Sequence, residues 1–333
     1  MCTAISFLTR DHYFGRNLDY DFSYHETVTI TPRRFPLPFR HQKTLSSHYA
    51  MIGMAFIQQN YPLYYDATNE KGLSIAGLNF PGNATYQPFN YTRDNITPFE
   101  LIPWILGQCA TVKETRNLLS HLTLVNENFS DALPLSPLHF MVSDRKESLV
   151  IEPLKDGLKI CDNPIGVLTN NPPFDYHLTN LINFRNLTRE EPKSRFAEHL
   201  SLDPYSRGMG AIGLPGDLSS ASRFVRAAFV KLNSVCGESE EESLSQFFHI
   251  LSAVEQPKGC CRVGENFEYT IYSSCCNTDR GVYYYTTYEN RRITGVDMHR
   301  ENLDGDTLIS YPLCKAPSVH MEKGLQNPGD TVY

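Results

Sequence analysis

Cys2 stands directly behind the initiator methionine in MCTAISFLTR. Trimming of an initiator Met is usual before a small side chain, and here it would leave a thiol and a free α-amine on one residue. A free thiol, with a reference pKa of about 8.5, is only a few per cent ionised at neutral pH, whereas an α-amine near about 8 is a competent proton acceptor. Residue 2 would then be nucleophile and base at once, with no separate histidine. A cysteine at position 2 is by itself a common accident. Other stretches give it weight.

SIAGLNFPGNA ends an apolar run at Asn79 just before a Pro-Gly turn, and VLTNNPPFD ends another at Asn170 before two prolines. Side-chain amides at such turns are the donors that an oxyanion in acyl transfer needs, although Asn also favours turns for its own reasons. In GDLSSASRFVRAAFVKL, Ser219 or Ser220 can cap a helix whose buried face uses Phe224, Val225, Ala228, Phe229 and Leu232. Arg223 falls in its first turn, where the helix dipole disfavours a cation. That placement points to a task for Arg223 elsewhere, or to a salt bridge with Asp217.

The opening segment must position Cys2. Thr3 to Leu8 and Tyr13 to Asp19 read as a hairpin around a four-residue turn, Thr9-Arg10-Asp11-His12. Pairing Leu8 with Tyr13 sets Cys2 opposite Asp19, a carboxylate beside the new amino group. Arg16 and Asp19, three apart, then point to opposite faces of a regular strand. Gly15 permits a bulge or bend that would bring both toward Cys2, which the pattern alone does not prove.

Further strands are expected at 27–31, 73–78, 139–142, 148–152, 166–169, 270–274 and 282–287, and helices near 98–109, 111–119, 174–186, 222–233 and 243–254. Strands and helices mostly do not alternate, which predicts an α+β fold of layered antiparallel sheets. At 333 residues, with 41% hydrophobic and 20% charged residues, the chain has globular composition. A net charge of −7 and only isolated arginine pairs argue against a nucleic-acid partner. No apolar run approaches the roughly 20 residues of a membrane span, and no secretory signal is read. Nine cysteines include the neighbours Cys260-Cys261 and Cys275-Cys276. Adjacent strand cysteines face opposite ways, so buried reduced thiols are expected rather than a metal site.

MCTAISF, FGRNLDY, NEKGLSIAGLNFPG, VLTNNPPFDYH and LPGDLSSASRFVRAAF together resemble the choloylglycine hydrolase family, especially its bile salt hydrolases, with penicillin V acylases as close relatives. The resemblance spans roughly residues 2 to 315, with the five motifs in order. It implies an N-terminal nucleophile hydrolase with a four-layer αββα sandwich, one domain over residues 2–333 once Met1 is removed. By motif it makes Cys2 the nucleophile, Asp19 the carboxylate orienting the amino group, and Arg16 and Arg223 the arginines beside the thiol, and with Arg16 in that role the bulge at Gly15 becomes an expectation. Asn79 and Asn170 take the oxyanion positions. No metal or organic cofactor is implied.

The implied substrates are glycine- or taurine-conjugated bile salts, since penicillin V acylases carry Tyr where this chain has Asn79. The same cluster could instead cleave penicillin V or N-acyl-homoserine lactones, and a non-catalytic thiol-rich binding protein is the reading from another class. Tyr20, Phe22, Leu133 and Leu135 are expected to supply part of an apolar wall for a steroid body. The resemblance further implies a cytoplasmic bacterial homotetramer.

Overall fold

The segments CTAISFL and HYFGRNLDY, rich in β-branched and aromatic side chains, pair as expected. In the computed structural model, which describes residues 1–322, they form strands β1 (Cys2–Leu8) and β2 (His12–Tyr20). Residues 323–333 of the expected domain lie outside the described residues. The connection is three residues long, Thr9 to Asp11, one fewer than expected. Leu8 therefore pairs with His12, and Cys2 faces Leu18 rather than Asp19. Because side chains alternate across a strand, this slip decides the site: Cys2, Ala4, Arg16 and Leu18 share one face, and Thr3, Asn17 and Asp19 share the other.

The bulge expected at Gly15 is not there, since the pairing runs unbroken from Cys2–Leu18 to Leu8–His12. The irregularity lies instead on the next strand, between Thr270 and Tyr272, opposite Asp19 and Leu18. Gly15 serves a close approach: a Cβ there would lie 2.0 Å from the Ser274 carbonyl oxygen. Only glycine lets the two backbones come so near.

The chain continues through β3 (Thr27–Thr31), β4 (Met51–Gln58), β5 (Tyr61–Asn69), β6 (Ser74–Asn79) and β7 (Asp94–Ile96). Helices α1 (Leu101–Gln108) and α2 (Val112–Leu119) follow, then β8 (Leu122–Leu124), β9 (Leu138–Ser143), β10 (Ser148–Leu154), β11 (Gly157–Asp162) and β12 (Val167–Leu168). After α3 (Phe174–Leu181), α4 (Ser220–Asn233) and α5 (Glu240–Ser252) come β13 (Cys261–Val263), β14 (Asn266–Asn277), β15 (Val282–Thr287), β16 (Thr294–Asp297) and β17 (Ile309–Pro312).

These build two large antiparallel sheets. One runs β12-β1-β2-β14-β15-β16 with β13 beside β14, and the other runs β11-β10-β9-β6-β5-β4-β3-β17. Their facing side chains, among them Phe14, Tyr272 and Tyr283 against Met54, Leu78 and Met141, belong to one core cluster. Helices α4 and α5 cover the Cys2 sheet, and α1 packs on β5 and β6 of the other. The expected α+β class is thus realised as helix, sheet, sheet, helix. Two sheets packed face to face give a core in which a polar side chain is stranded unless another finds it.

Helix α4 carries a polar side chain, that of Arg223, onto the outer face of the Cys2 sheet. Ser219 caps the helix, its Oγ accepting the Ser222 N–H at 3.4 Å. Phe224, Val225, Ala227 and Ala228 are buried, and burying Phe224 alone contributes about 1.5–3 kcal/mol. Leu232, expected on that face, lies in the last turn and is 60% exposed. α5 begins at Glu240, earlier than expected, because Ser239 and Glu242 form a reciprocal capping box.

Candidate active site

Cys2 is 3% exposed and is clamped through its backbone. Its N–H donates to Asn170 Oδ1 at 2.7 Å, and its carbonyl accepts from Arg223 Nη1 at 2.6 Å. Asn170 is the hub of the cluster. Its Oδ1 also accepts from Arg223 Nη2 at 2.7 Å, and its Nδ2 donates to the Asn79 carbonyl at 2.7 Å. Its own backbone is pinned on both sides, the N–H donating to Ser220 Oγ at 2.8 Å and the carbonyl bonded to His177 Nε2 at 3.0 Å. One position earlier, the Thr169 carbonyl is bonded to His139 Nε2 at 2.9 Å, and that ring stacks on Phe80.

Arg223 is buried in the first turn of α4 and bonds to the cluster rather than to the Asp217 carboxylate, which accepts from Ser219 N–H and Ser222 Oγ. A further bond runs from Nη1 to Thr3 Oγ1 at 2.6 Å. Burial pushes its guanidinium down from the ordinary value, while Asp19 and the Cys2 sulfur pull it back. Asp19 Oδ1 accepts from Thr270 Oγ1 at 2.6 Å. Its Oδ2, 4.0 Å from Arg223 Nη1, has no hydrogen-bond partner among the described residues. Burial holds this carboxyl above its usual range against Arg223, the terminal ammonium and Thr270.

Arg16 comes from the opposite face, which resolves the spacing problem without a bulge. Its guanidinium crosses to the second sheet, where Nη1 donates to the Gly77 carbonyl at 2.5 Å and the Tyr65 carbonyl at 3.1 Å. Nη2 is buried with no partner among the described residues. Burial works against this cation, but the Cys2 sulfur, Tyr272, Asp66 and Asp19 outweigh it and hold its pKa above the ordinary arginine value. The thiol thus has a cation on its own face and an Arg223–Asp19 pair behind it.

Asn79 ends β6, half-buried, and its side-chain amide has no hydrogen-bond partner among the described residues, while its carbonyl anchors Asn170. At the end of β2 and just past it, Tyr20, Phe22 and Tyr24 form an aromatic group, with Tyr20–Phe22 centroids 5.0 Å apart, and Phe56 adjoins Tyr24. Phe22 is 44% exposed. Leu133 and Leu135, half-buried, lie on the segment that enters β9 at Leu138, the partner of Asn79. The apolar candidates therefore come from two places, the end of β2 and the approach to Asn79.

Sequence reasoning missed His139, His177, Glu152 and Glu268. Glu152 Oε1 accepts the Phe174 N–H at 2.8 Å and faces His139 Nδ1 at 3.4 Å, bracing the turn that carries Asn170. The Met1 ammonium touches the Glu268 carboxylate and donates to the Asp19 carbonyl at 2.8 Å. For His139, Glu152 and Glu268 the available signal was a polar residue at a buried strand position, whereas His177 lies on the buried face of α3.

A buried thiol beside a free amide donor and two guanidinium groups is equipped to attack a carbonyl carbon and hold the oxyanion. Residues 2–311 match the sequence pattern of the linear amide C-N hydrolases, choloylglycine hydrolase family. The chain belongs to that family. It is 60% identical to the bile salt hydrolase/transferase of Lactiplantibacillus plantarum over 94% of this chain and 97% of the relative. It is 38% identical to the enzyme of the same name from Clostridium perfringens, over 96% of this chain and 99% of that one. The crystal structure of a mutant conjugated bile acid hydrolase from Clostridium perfringens superposes with a TM-score of 0.90 at 36% identity, covering 97% of this chain and 100% of that one. Choloylglycine hydrolases act on linear amide C–N bonds, and this chain matches their sequence pattern over residues 2–311.

Proposed function

We propose that the chain hydrolyses the amide bond of glycine- or taurine-conjugated bile salts, with Cys2 as N-terminal nucleophile after loss of Met1. The observation that carries the reading is the clamp on Cys2 by Asn170 and Arg223 beside Asp19 Oδ2, which has no hydrogen-bond partner among the described residues. An amide nitrogen at Cys2 has one hydrogen, and Asn170 takes it. A freed ammonium has two more, and Asp19 Oδ2 is the open acceptor for one of them. The names of the relatives supply the substrate class.

In this reaction the α-amine takes the Cys2 thiol proton and the thiolate attacks the amide carbon. Arg16 Nη2 faces the developing sulfur charge, and the Asn79 side-chain amide donates to the oxyanion. Asn170, whose Nδ2 is already spent on the Asn79 carbonyl, contributes by orienting the amine and tying it to the oxyanion donor. The protonated amine passes its proton to the departing glycine or taurine nitrogen, leaving a thioester on Cys2. Water, deprotonated by the same amine, attacks the thioester carbon and releases the free acid and the thiol. Tyr20, Phe22, Leu133 and Leu135 serve as apolar contacts for the steroid.

The same reading takes residues 2–333 as one domain working as a homotetramer in a bacterial cytoplasm. Nine free thiols suit a reducing compartment. Phe196, Leu200, Leu202, Tyr205 and Ile212 crowd exposed apolar surface onto residues 187–213, which suits burial between subunits. Among the described residues no helix is long and apolar enough to cross a membrane. Light scattering on a sizing column tests the assembly.

The deciding experiment compares release of glycine or taurine from glycocholate and taurocholate with penicillin V turnover, on protein whose intact mass shows Met1 gone. Wild type is expected to cleave the bile salts preferentially and Cys2→Ala to cleave nothing. Retained hydrolysis by Cys2→Ala, or a preference for penicillin V, overturns the reading.

A further inference from the structure

Behind Arg16, on the sheet facing Cys2, lies a buried carboxylate that the proposed reaction does not use. Asp66, on β5, is 2% exposed. Its Oδ1 accepts from the Tyr272 hydroxyl at 2.7 Å, and its Oδ2 from Tyr283 at 2.6 Å and Ser274 at 3.3 Å. All three donors come from the other sheet, on β14 and β15. The same Ser274 Oγ accepts the Arg16 backbone N–H at 3.2 Å, and the residue before Asp66 gives its carbonyl to Arg16 Nη1. Arg16 is thus tied at its backbone and at its guanidinium to groups that hold, or adjoin, Asp66.

A buried carboxylate costs several kcal/mol unless a cation compensates it, and a buried guanidinium faces the same penalty. Asp66 and Arg16 answer each other across the sheets. The Asp66 oxygens are occupied by hydroxyls, so the guanidinium is balanced without being captured, and Nη2 stays uncommitted. That balance has a chemical consequence. A thiolate held too tightly by a bare cation has a low pKa and is a weaker nucleophile, because nucleophilicity falls with pKa along a Brønsted slope of about 0.4–0.5.

We infer that Asp66 is a positioning residue that offsets the charge of Arg16 from behind and so limits how strongly the guanidinium stabilises the Cys2 thiolate. This rests on Cys2 being the nucleophile. The other groups that face Arg16, Asp66 and Cys2 are Asp19 and Arg223 behind β1, the α-amine, Tyr20, Tyr65 and Cys276. Burial holds Tyr20 and Cys276 up at about 12 and pushes Tyr65, Tyr272 and Tyr283 well above the ordinary tyrosine value, so these stay neutral through the working pH range. Burial pushes the Asp66 carboxyl itself upward, against Arg16 and the three hydroxyls.

The test is iodoacetamide alkylation of Met1-free protein from about pH 4 to about pH 9, read at the Cys2 peptide by mass spectrometry, in wild type and Asp66→Asn. The Cys2 midpoint is expected to move toward acid by about one pH unit, the low end for a buried charge near an ionisable group. The plateau kcat for glycocholate should fall about threefold, by the slope above, with KM unchanged. Loosened packing alone would lower activity without an acid shift of the thiol. An unchanged or alkaline-shifted midpoint overturns the inference, and this includes the case of Asp66 being neutral already. Should Asp66→Asn not fold, the double variant Tyr272→Phe/Tyr283→Phe keeps the carboxyl but strips two of its donors, making it neutral, and must move the midpoint the same way. The nucleophile reading fails separately, through turnover by Cys2→Ala, and the Cys2 titration can still be read.

Discussion

Asn170→Ala probes the clamp most directly. The side chain makes three contacts of 2.7 Å, to Cys2 N, Arg223 Nη2 and the Asn79 carbonyl. Each partner left unpaired in a buried site costs about 1–3 kcal/mol, so about 3–9 kcal/mol of stability is at stake before relaxation. That is a large part of the about 5–15 kcal/mol typical of a domain, and the urea midpoint should drop clearly while the fold persists. The effect on the reaction is separate. Without Asn170 Oδ1 the α-amine loses the acceptor that aims its lone pair at the thiol, and general-base catalysis is worth about 10²–10⁴-fold. Arg223 and the Asn79 strand end also lose their common tether, so the oxyanion donor is less well placed. A fall in kcat of about 10²–10³-fold is expected, about 3–4 kcal/mol of barrier, with KM changed little. The assay is glycine release from glycocholate at saturating and limiting substrate, on protein shown by intact mass to lack Met1 and by near-ultraviolet circular dichroism to be folded. A loss in kcat below tenfold would refute the orienting role. A loss confined to KM would recast Asn170 as a substrate contact.

Extending the N-terminus by an uncleaved Gly-Ser before Cys2 should leave the protein folded but abolish turnover, and protease release of Cys2 should restore it. Activity in the extended protein would show that a free α-amine is unnecessary. His12 is bonded to Ser6 and Thr278 at 2.9 Å each, and burial pushes its pKa down to about 4 from about 6.5. Between those values the unfolded chain binds a proton that the folded one refuses, so its share of stability is intact above about pH 6.5 and declines as pH falls toward 4. The loss comes to about 3 kcal/mol, and urea midpoints of His12→Gln should be flatter than wild type over that window. Phe22→Ala removes an exposed member of the aromatic group at the end of β2. It should raise KM for conjugated bile salts about 5- to 30-fold with kcat nearly constant, for about 1–2 kcal/mol of lost apolar contact; an unchanged KM places the steroid elsewhere.

Several elements were legible because their signals are local. The hairpin of β1 and β2 is announced by β-branched and aromatic runs around polar turn residues, and α4 by a serine cap and an apolar stripe. The polar cost of Arg223 in a helix first turn was a true sign, and the structure shows where its bonds go. The β4–β5 hairpin was not read, because its turn uses Gln59 and Asn60 at φ of 51° and 59° without the glycine that usually marks such a turn. Leu232 belongs to an apolar stripe by spacing, yet exposure in the last turn depends on what covers the helix there.

The sequence by itself determined the residue types of the site, the strand and helix class of most elements, and a thiol that removal of one residue would join to an amine. It could not decide which face Cys2 shares. A three-residue turn and a four-residue turn are close in local energy, yet they differ by one position of register, and one position exchanges the two faces of a strand. Only the packed sheets settle that, because one face is covered by α4 and the other by the second sheet. That geometry lets Arg16 and Asp19 flank one sulfur from opposite sides. It also sets His139 and Glu152 against the turn that carries Asn170, and Asp66 behind Arg16, none of them marked by a motif, since a buried charge or ring nitrogen must find its partner in whichever layer is folded against it.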